Sequence, residues 1–150
     1  MNTKSKTLIT ILIPLLILGA IVAVYYLKQP GSVKNKKADY QLTSRTLNKE
    51  FMVNDSLAYA KYSKKVVELT GAVATIKNSE MHGIIVTLDD PMMGVKCVMD
   101  STVKTLPTEV VEGSTVNIKG VCIGSDQLIG VMLNQCFITG TKAPAQNPSL

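Results

Sequence analysis

A run of 20 residues without a charge, residues 8–27, constrains this 150-residue chain more than any other feature. At about 1.5 Å of rise per residue, a helix of this length matches the roughly 30 Å hydrocarbon core of a bilayer. The run ends in Val24-Tyr25-Tyr26-Leu27 and has no small-x-small site, which favours an uncleaved signal anchor over a removed signal peptide. We therefore predict one N-terminal transmembrane helix over residues 8–27.

The remaining chain divides around this predicted anchor. Residues 1–7 form a basic tail, residues 28–38 a linker rich in Pro, Gly, Ser and Lys, residues 39–140 the globular domain, and residues 141–150 a disordered tail. Lysines flank the anchor on both sides, and with two before it and four after it within about 15 residues, charge alone slightly favours a cytoplasmic domain. A short basic tail before a single span is the usual layout of a signal anchor, which predicts an extracytoplasmic domain anchored in the inner (cytoplasmic) membrane.

The formal charge of +5 is unevenly placed along the chain. Residues 1–65 carry eleven Lys and Arg against three Asp and Glu, a net charge of +8. Residues 66–140 carry four basic and eight acidic residues, a net charge of −4. The basic character therefore belongs to the part near the membrane, and the predicted domain is acidic.

An amphipathic helix is predicted over residues 44–63, just before the strands. Leu47, Phe51, Ala58 and Tyr62 recur at spacings of four, seven and four residues, which places them on one helix face. Asn54 lies within this face and needs a hydrogen-bond partner, so it either caps a neighbouring segment or breaks the helix into two.

Five β-strands are predicted after this helix, because apolar residues alternate in short β-branched runs separated by Gly, Pro and Asp. The runs are residues 66–76, 84–88, 95–99, 115–123 and 129–139, and residues 101–106 are a candidate for one or two helical turns. A long first strand, two further strands, a short helix and a closing hairpin are the order of an OB-fold. The predicted fold class is therefore all-β: a five-stranded OB-fold Greek-key barrel preceded by an α-helix, plus the transmembrane helix.

Specific residues strengthen this assignment. They are Phe51, Asn54, Ala58, Lys61 and Tyr62 in the helix, the runs at residues 66–71 and 119–124, Gly113 with Val116, and Leu133 with Cys136. Through these residues the chain resembles the tRNA_anti-like family of OB-fold proteins over about residues 47–139. The resemblance implies a small bacterial domain, largely of extracytoplasmic type, and supplies no agreed catalytic residues.

Candidate ligand-binding residues lie in and beside the loops that bind ligands in many OB-folds. They are Lys77 and His82 near the loop between the first two strands, and Ser125, Asp126 and Gln127 near the loop between the last two. Single-stranded nucleic acid is recognised by a basic groove with aromatic stacking platforms. Phe137 is the only aromatic residue between residues 66 and 140, and this stretch is acidic, which argues against a nucleic-acid partner.

Three cysteines and one histidine, Cys97, Cys122, Cys136 and His82, make a nominal set of four metal ligands. Their spacing does not match a structural zinc site, so neither a metal nor another cofactor is predicted. Cys97 and Cys122 are in phase with apolar core residues, whereas strict alternation turns Cys136 outward unless a bulge at Asn134 and Gln135 reverses it. Outside the cytoplasm one pair among the three thiols could oxidise, and the sequence leaves the pair open.

No residue pattern indicates an enzyme, because no nucleophile has a base at a meaningful spacing and no glycine-rich phosphate loop is present. The sequence predicts a membrane-anchored OB-fold module for binding or assembly in the bacterial cell envelope, with a protein or a glycan as its ligand. The alternative is a membrane-tethered, cytoplasm-facing domain that binds single-stranded nucleic acid, which the lysines after the anchor favour. The sequence pattern predicts no particular oligomeric state.

Overall fold

The structure is a computed structural model that describes residues 13–24 and 32–142. Residues 13–24 form an exposed helix, α1. Within the described ranges no helix is both long and apolar enough to cross a membrane. The predicted anchor over residues 8–27 begins and ends outside these ranges, as do the predicted basic tail at residues 1–7 and the end of the chain at residues 143–150.

The second described range begins with a 3-10 helix at Val33–Asn35, followed by strand β1 and two consecutive helices. Strand β1 spans Tyr40–Thr43, helix α2 spans Ser44–Val53 and helix α3 spans Asp55–Tyr62. The later strands are β2 at Val66–Ser79, β3 at Gly83–Leu88, β4 at Val95–Met99, β5 at Thr115–Asp126 and β6 at Gly130–Lys142.

The strands form one sheet in the order β1-β2-β3-β4-β6-β5, and β2 also pairs with β5. Five strands therefore close into a barrel, because the first half of β2 pairs with β5 and its second half with β3. Strand β1 is a sixth strand and lies parallel to the start of β2. The sequence prediction did not include β1, so the structure has six strands where five were predicted, because four residues between a linker and a helix do not show a strand period.

Two helices replace the single helix predicted over residues 44–63. Asn54 ends α2 and begins α3, with its side-chain Oδ1 accepting a hydrogen bond from the backbone N–H of Leu57 at 3.1 Å. The predicted apolar face is correct: Leu47, Phe51, Ala58 and Tyr62 are all buried. Asn54 therefore both separates the two helices and caps the second one, as the two alternatives from the sequence predicted.

The helical turns predicted over residues 101–106 are wrong, because this segment contains only turns and bends. The Asp100 carboxylate accepts hydrogen bonds from the backbone N–H of Thr102 at 3.0 Å and from its hydroxyl at 2.7 Å. Such local side-chain bonds compete with helix formation. The segment therefore passes over the barrel as an irregular connection.

The barrel core contains the predicted inward faces of the strands, including Val67, Leu69, Val86, Leu88 and Ile118. Cys136 is also fully buried, because the register shifts beside it and Gln135 adopts a left-handed backbone with φ of 52°. A bulge at Gln135 therefore turns Cys136 into the core, which is the second of the two alternatives predicted from the sequence.

Described residues of the predicted linker and of the predicted tail contact the barrel or belong to it. Val33, in the predicted linker, is 3% exposed and packs with Val66 and Phe137. The Lys119 Nζ donates hydrogen bonds to the carbonyl oxygens of Lys34 and Lys36 at 2.9 and 2.8 Å. At the other end, strand β6 includes residues 141 and 142 of the predicted disordered tail.

A carboxylate links α2 to the barrel. Asp89, directly after β3, accepts hydrogen bonds from the Ser44 hydroxyl and, at 3.3 Å, from the backbone N–H of Ala72. Arg45 Nε lies 3.6 Å from the same carboxylate. Ser44 is 1% exposed, so this contact is part of the core and fixes the first turn of α2 against the middle of β2.

Candidate binding surface

The structure separates the predicted ligand-binding residues into three places. His82 lines a cavity of about 690 Å³ at one mouth of the barrel. Ser125, Asp126 and Gln127 line a second cavity of about 340 Å³ beside α2. Lys77 is exposed within strand β2 and lines neither cavity.

The mouth cavity is lined mainly by polar side chains. His82 is exposed, and its backbone N–H donates to the Ser79 hydroxyl at 3.4 Å. The same cavity is lined by Asp100 and by the bulge residues Asn134 and Gln135. Hydrogen bonds from the side chain and then the backbone of Thr102 hold the pKa of Asp100 below its usual value. The cavity can therefore hydrogen-bond a polar ligand, and it retains a negative charge at neutral pH.

The second cavity lies between α2 and the turn from β5 to β6. Its lining includes Asn48, Met52 and Met93 beside the predicted residues 125–127. The Asn48 amide donates to the carbonyl oxygen of Met93 at 2.9 Å. The Ser125 hydroxyl hydrogen-bonds the Asp55 carboxylate, so two of the cavity walls are joined directly. Ser125 and Asp126 are the last residues of β5, and only Gln127 lies in the turn.

A third feature is the outward surface of β2, β3, β4 and β6, which we call the outer face. Paired residues in a sheet point to the same side, so the register places Thr75, Thr87, Lys96 and Met132 in one row across these strands. The neighbouring row contains Lys77, Ile85 and Val98. The outer face thus brings together residues from four separate strands.

Lys96 is the central basic residue of the outer face, and sequence reasoning did not single it out. Its Nζ donates hydrogen bonds to the carbonyl oxygen of Met92, at 3.0 Å, and to that of Ile129. Lys96 therefore joins the turn between β3 and β4 to the turn between β5 and β6. The sequence indicated only that Lys96 faces outward, because it alternates with the inward-facing Val95 and Cys97.

Electrostatics make the outer face locally positive. Burial lowers the pKa of Lys96, the positive charge of Lys77 lowers it further, and the Asp90 carboxylate opposes these effects. The ion pairs formed within residues 32–142 are Lys61–Glu50 and Arg45–Asp89, and neither includes Lys77 or Lys96. Two lysines therefore share this surface without a salt-bridge partner, although residues 66–140 carry a net negative charge.

Exposed apolar side chains stand at the turns that Lys96 joins. Met92 is 77% exposed and Leu128 is 87% exposed, with Met93 and Ile129 beside them. Exposed apolar patches mark interaction sites, and methionine side chains adapt readily to a partner. We call these four residues the apolar rim.

No aromatic ring lies in either row of the outer face. The barrel's Phe137 is only 9% exposed because Val33 and Val66 pack against it. The other aromatic residues of the domain are Tyr40, Phe51, Tyr59 and Tyr62, which belong to β1 and the two helices. Stacking of nucleobases, which contributes about 1–3 kcal/mol per base, therefore has no platform on this surface.

The cysteines contribute to the core. All three thiols are free and fully buried. Burial raises the pKa of Cys122 to about 11. Burial and then contact with the Cys97 thiol raise the pKa of Cys136. The described residues include no cluster of three or more His, Cys, Asp or Glu side chains placed to hold a metal ion.

The closed barrel, with its parallel contact between β4 and β6 and its polar cavities, defines an OB-like binding domain. The chain belongs to the tRNA_anti-like family, whose sequence model matches residues 1–137. This confirms the resemblance predicted from the sequence and extends it over the uncharged N-terminal run.

The fold is also that of a known structure, a proposed nucleic acid-binding lipoprotein from Klebsiella pneumoniae subsp. pneumoniae. The TM-score is 0.57 at 19% sequence identity, and the match covers 70% of this chain and all of the other. No curated protein matches the sequence.

Proposed function

We propose that this chain is a membrane-anchored OB-fold binding module of the bacterial cell envelope, and that its ligand is a protein. The uncharged run at residues 8–27 has the length of a membrane span, and the family match begins at residue 1. In this proposal the domain lies outside the cytoplasm and acts by binding, without catalysis.

The observation that carries the protein ligand is the apolar rim beside the outer face. Leu128, Met92 and Met93 are exposed at turns that Lys96 holds together, so the surface is formed before a partner arrives. Such preorganisation lowers the entropic cost of binding. Methionine is enriched in protein interfaces relative to the rest of a protein surface. A glycan ligand would use the polar mouth cavity at His82 instead.

Membrane orientation is tested by cysteine labelling in intact cells. The three native thiols are buried, so a membrane-impermeant maleimide reports on an added cysteine in the folded chain. Ser149→Cys should be labelled in intact cells, whereas the matched control Ser5→Cys should be labelled only after lysis. The reverse pattern would contradict the proposed location.

The ligand class is tested by photo-crosslinking of the full chain in its own membranes. A photoreactive residue in place of Leu128 should give a discrete protein adduct. The control is the same residue in place of Glu112, which is exposed in the connection between β4 and β5. Adducts at both positions, or at neither, would reject a specific protein ligand at the rim.

A second candidate function, binding of single-stranded nucleic acid by a cytoplasm-facing domain, is favoured by the Klebsiella neighbour and by the lysine pair. Two phosphate contacts predict a salt slope of about −1.4 in log K against log salt. A labelled 20-nucleotide oligothymidylate should then bind the full chain in detergent micelles and lose affinity in Lys77→Glu. Absence of binding at low salt would exclude this function.

A further inference from the structure

We propose that the outer face is a receptor for one carboxylate of the protein partner, which docks between Lys77 and Lys96 with apolar side chains around it. The inference rests on the proposed function and names the chemistry of the partner. The partner segment is expected to carry one Asp or Glu among apolar residues.

The sheet register places the two lysines together. Lys77 pairs with Ile85 and Lys96 pairs with Thr87, so the two basic side chains lie on the same side of β3, diagonally across it. Lys77 is exposed and Lys96 is half-buried. A carboxylate between them would offset the mutual repulsion of two cations on one surface.

A hydroxyl group on the same row adds hydrogen-bonding capacity. Thr75 pairs across β2 and β3 with Thr87, which is next to Lys96 and is itself buried. The buried Thr75 Oγ1 has no hydrogen-bond partner among the described residues. A buried hydroxyl without a partner is costly in a folded domain, and an oxygen supplied by the partner would satisfy it.

The surroundings favour a single carboxylate over a polyanion. Ile85, Val98 and Met132 separate and flank the charged groups, and they are half-buried apolar residues. Asp90 and Asp126 lie at the ends of the two neighbouring turns and would repel an extended phosphate chain. With no aromatic ring on the surface, one anionic side chain within an apolar contact fits best.

The experiment uses the Leu128 photo-crosslinking chain in native membranes and maps the adduct by mass spectrometry. The crosslinked partner peptide should contain Asp or Glu within about five residues of the attachment point. Lys77→Glu in the same chain should lower the adduct yield about tenfold, the effect of reversing one close charge at an interface. The control Lys104→Glu reverses an exposed lysine of the mouth cavity and should leave the yield unchanged. Changing the mapped partner acid to Lys should restore the yield with Lys77→Glu.

The outcomes separate this inference from the proposed function. A specific adduct that is insensitive to Lys77→Glu, or that lacks an acidic residue, overturns the carboxylate receptor and leaves a protein ligand standing. No adduct at Leu128 overturns both. Binding of the 20-nucleotide oligothymidylate to the full chain, with loss in Lys77→Glu, would assign the lysine pair to phosphate and also overturn the inference.

Discussion

Asp89 provides the sharpest test of how the helices are held on the barrel. Its carboxylate accepts two hydrogen bonds, from the Ser44 hydroxyl and from the Ala72 backbone N–H. Hydrogen bonds to a charged group contribute about 1.5–3 kcal/mol each when partly buried. The Arg45 side chain is 82% exposed, so this ion pair adds less than about 1 kcal/mol. Asp89→Ala should therefore lower the free energy of unfolding by about 3–5 kcal/mol.

The backbone at Asp89 adds a second, independent prediction to this series. Its φ of 64° is left-handed, a conformation that costs an alanine about 1–2 kcal/mol and a glycine nothing. Asp89→Gly should thus be about 1 kcal/mol more stable than Asp89→Ala, although both lose the same hydrogen bonds. Asp89→Asn keeps a side-chain oxygen and tolerates this backbone, so it should be the least damaging of the three.

Urea unfolding of the full chain in detergent micelles, followed by far-ultraviolet circular dichroism, measures this series. The expected order of stability is wild type, Asn, Gly and Ala, with an unchanged dependence on urea. A loss below about 1 kcal/mol for Asp89→Ala would refute the role of the carboxylate. Equal stability of Asp89→Gly and Asp89→Ala would refute the backbone argument.

Four further outcomes are expected. Asn54→Ala removes the cap of α3 and should cost about 1 kcal/mol in urea unfolding, whereas Asn54→Ser should cost less. Gly120→Ala places a methyl group 2.5 Å from the Cys136 Sγ and should lower the free energy of unfolding by about 1–3 kcal/mol. Adding Cys136→Ala should restore part of this loss, and no restoration would contradict the clash. The buried thiols of the folded chain should not react with a disulfide reagent at pH 8, because burial removes them from the reagent and raises the pKa of Cys122 to about 11. All three thiols should react in urea, and reaction of the folded chain would refute their burial. Since the folded-state pKa of Asp100 lies below 3.8, its stabilisation is present above that pH and is lost as the pH falls through the lowered pKa, so acid unfolding should be less steep in Asp100→Asn.

Local periodicity was enough to predict the barrel strands and their inward faces. Alternation identified Val67, Leu69 and Val86 as core residues, because successive side chains of a strand point to opposite faces and only one face is buried. The helical stripe through Leu47 and Phe51 was equally readable. The uncharged run at residues 8–27 predicts a membrane span from its length, and that prediction extends beyond the described residues.

Other features depended on partners distant in the sequence. Strand β1 is a strand because β2 lies beside it, and Val33 is buried because Phe137 and Val66 meet there. Cys136 faces inward because the chain bulges at Gln135. None of these follows from a local period, since each is stabilised by contacts across the sheet.

The candidate site shows the same division. Lys77, His82 and residues 125–127 were found from their place in or beside loops, yet the structure distributes them over three surfaces. Lys96 became important only when the register set it opposite Thr87, beside Lys77, with the turns at Met92 and Ile129 within reach of its Nζ. Residue types and periods determine which side chains face outward, but strand register is a non-local pairing, and it alone decides which of them share a surface.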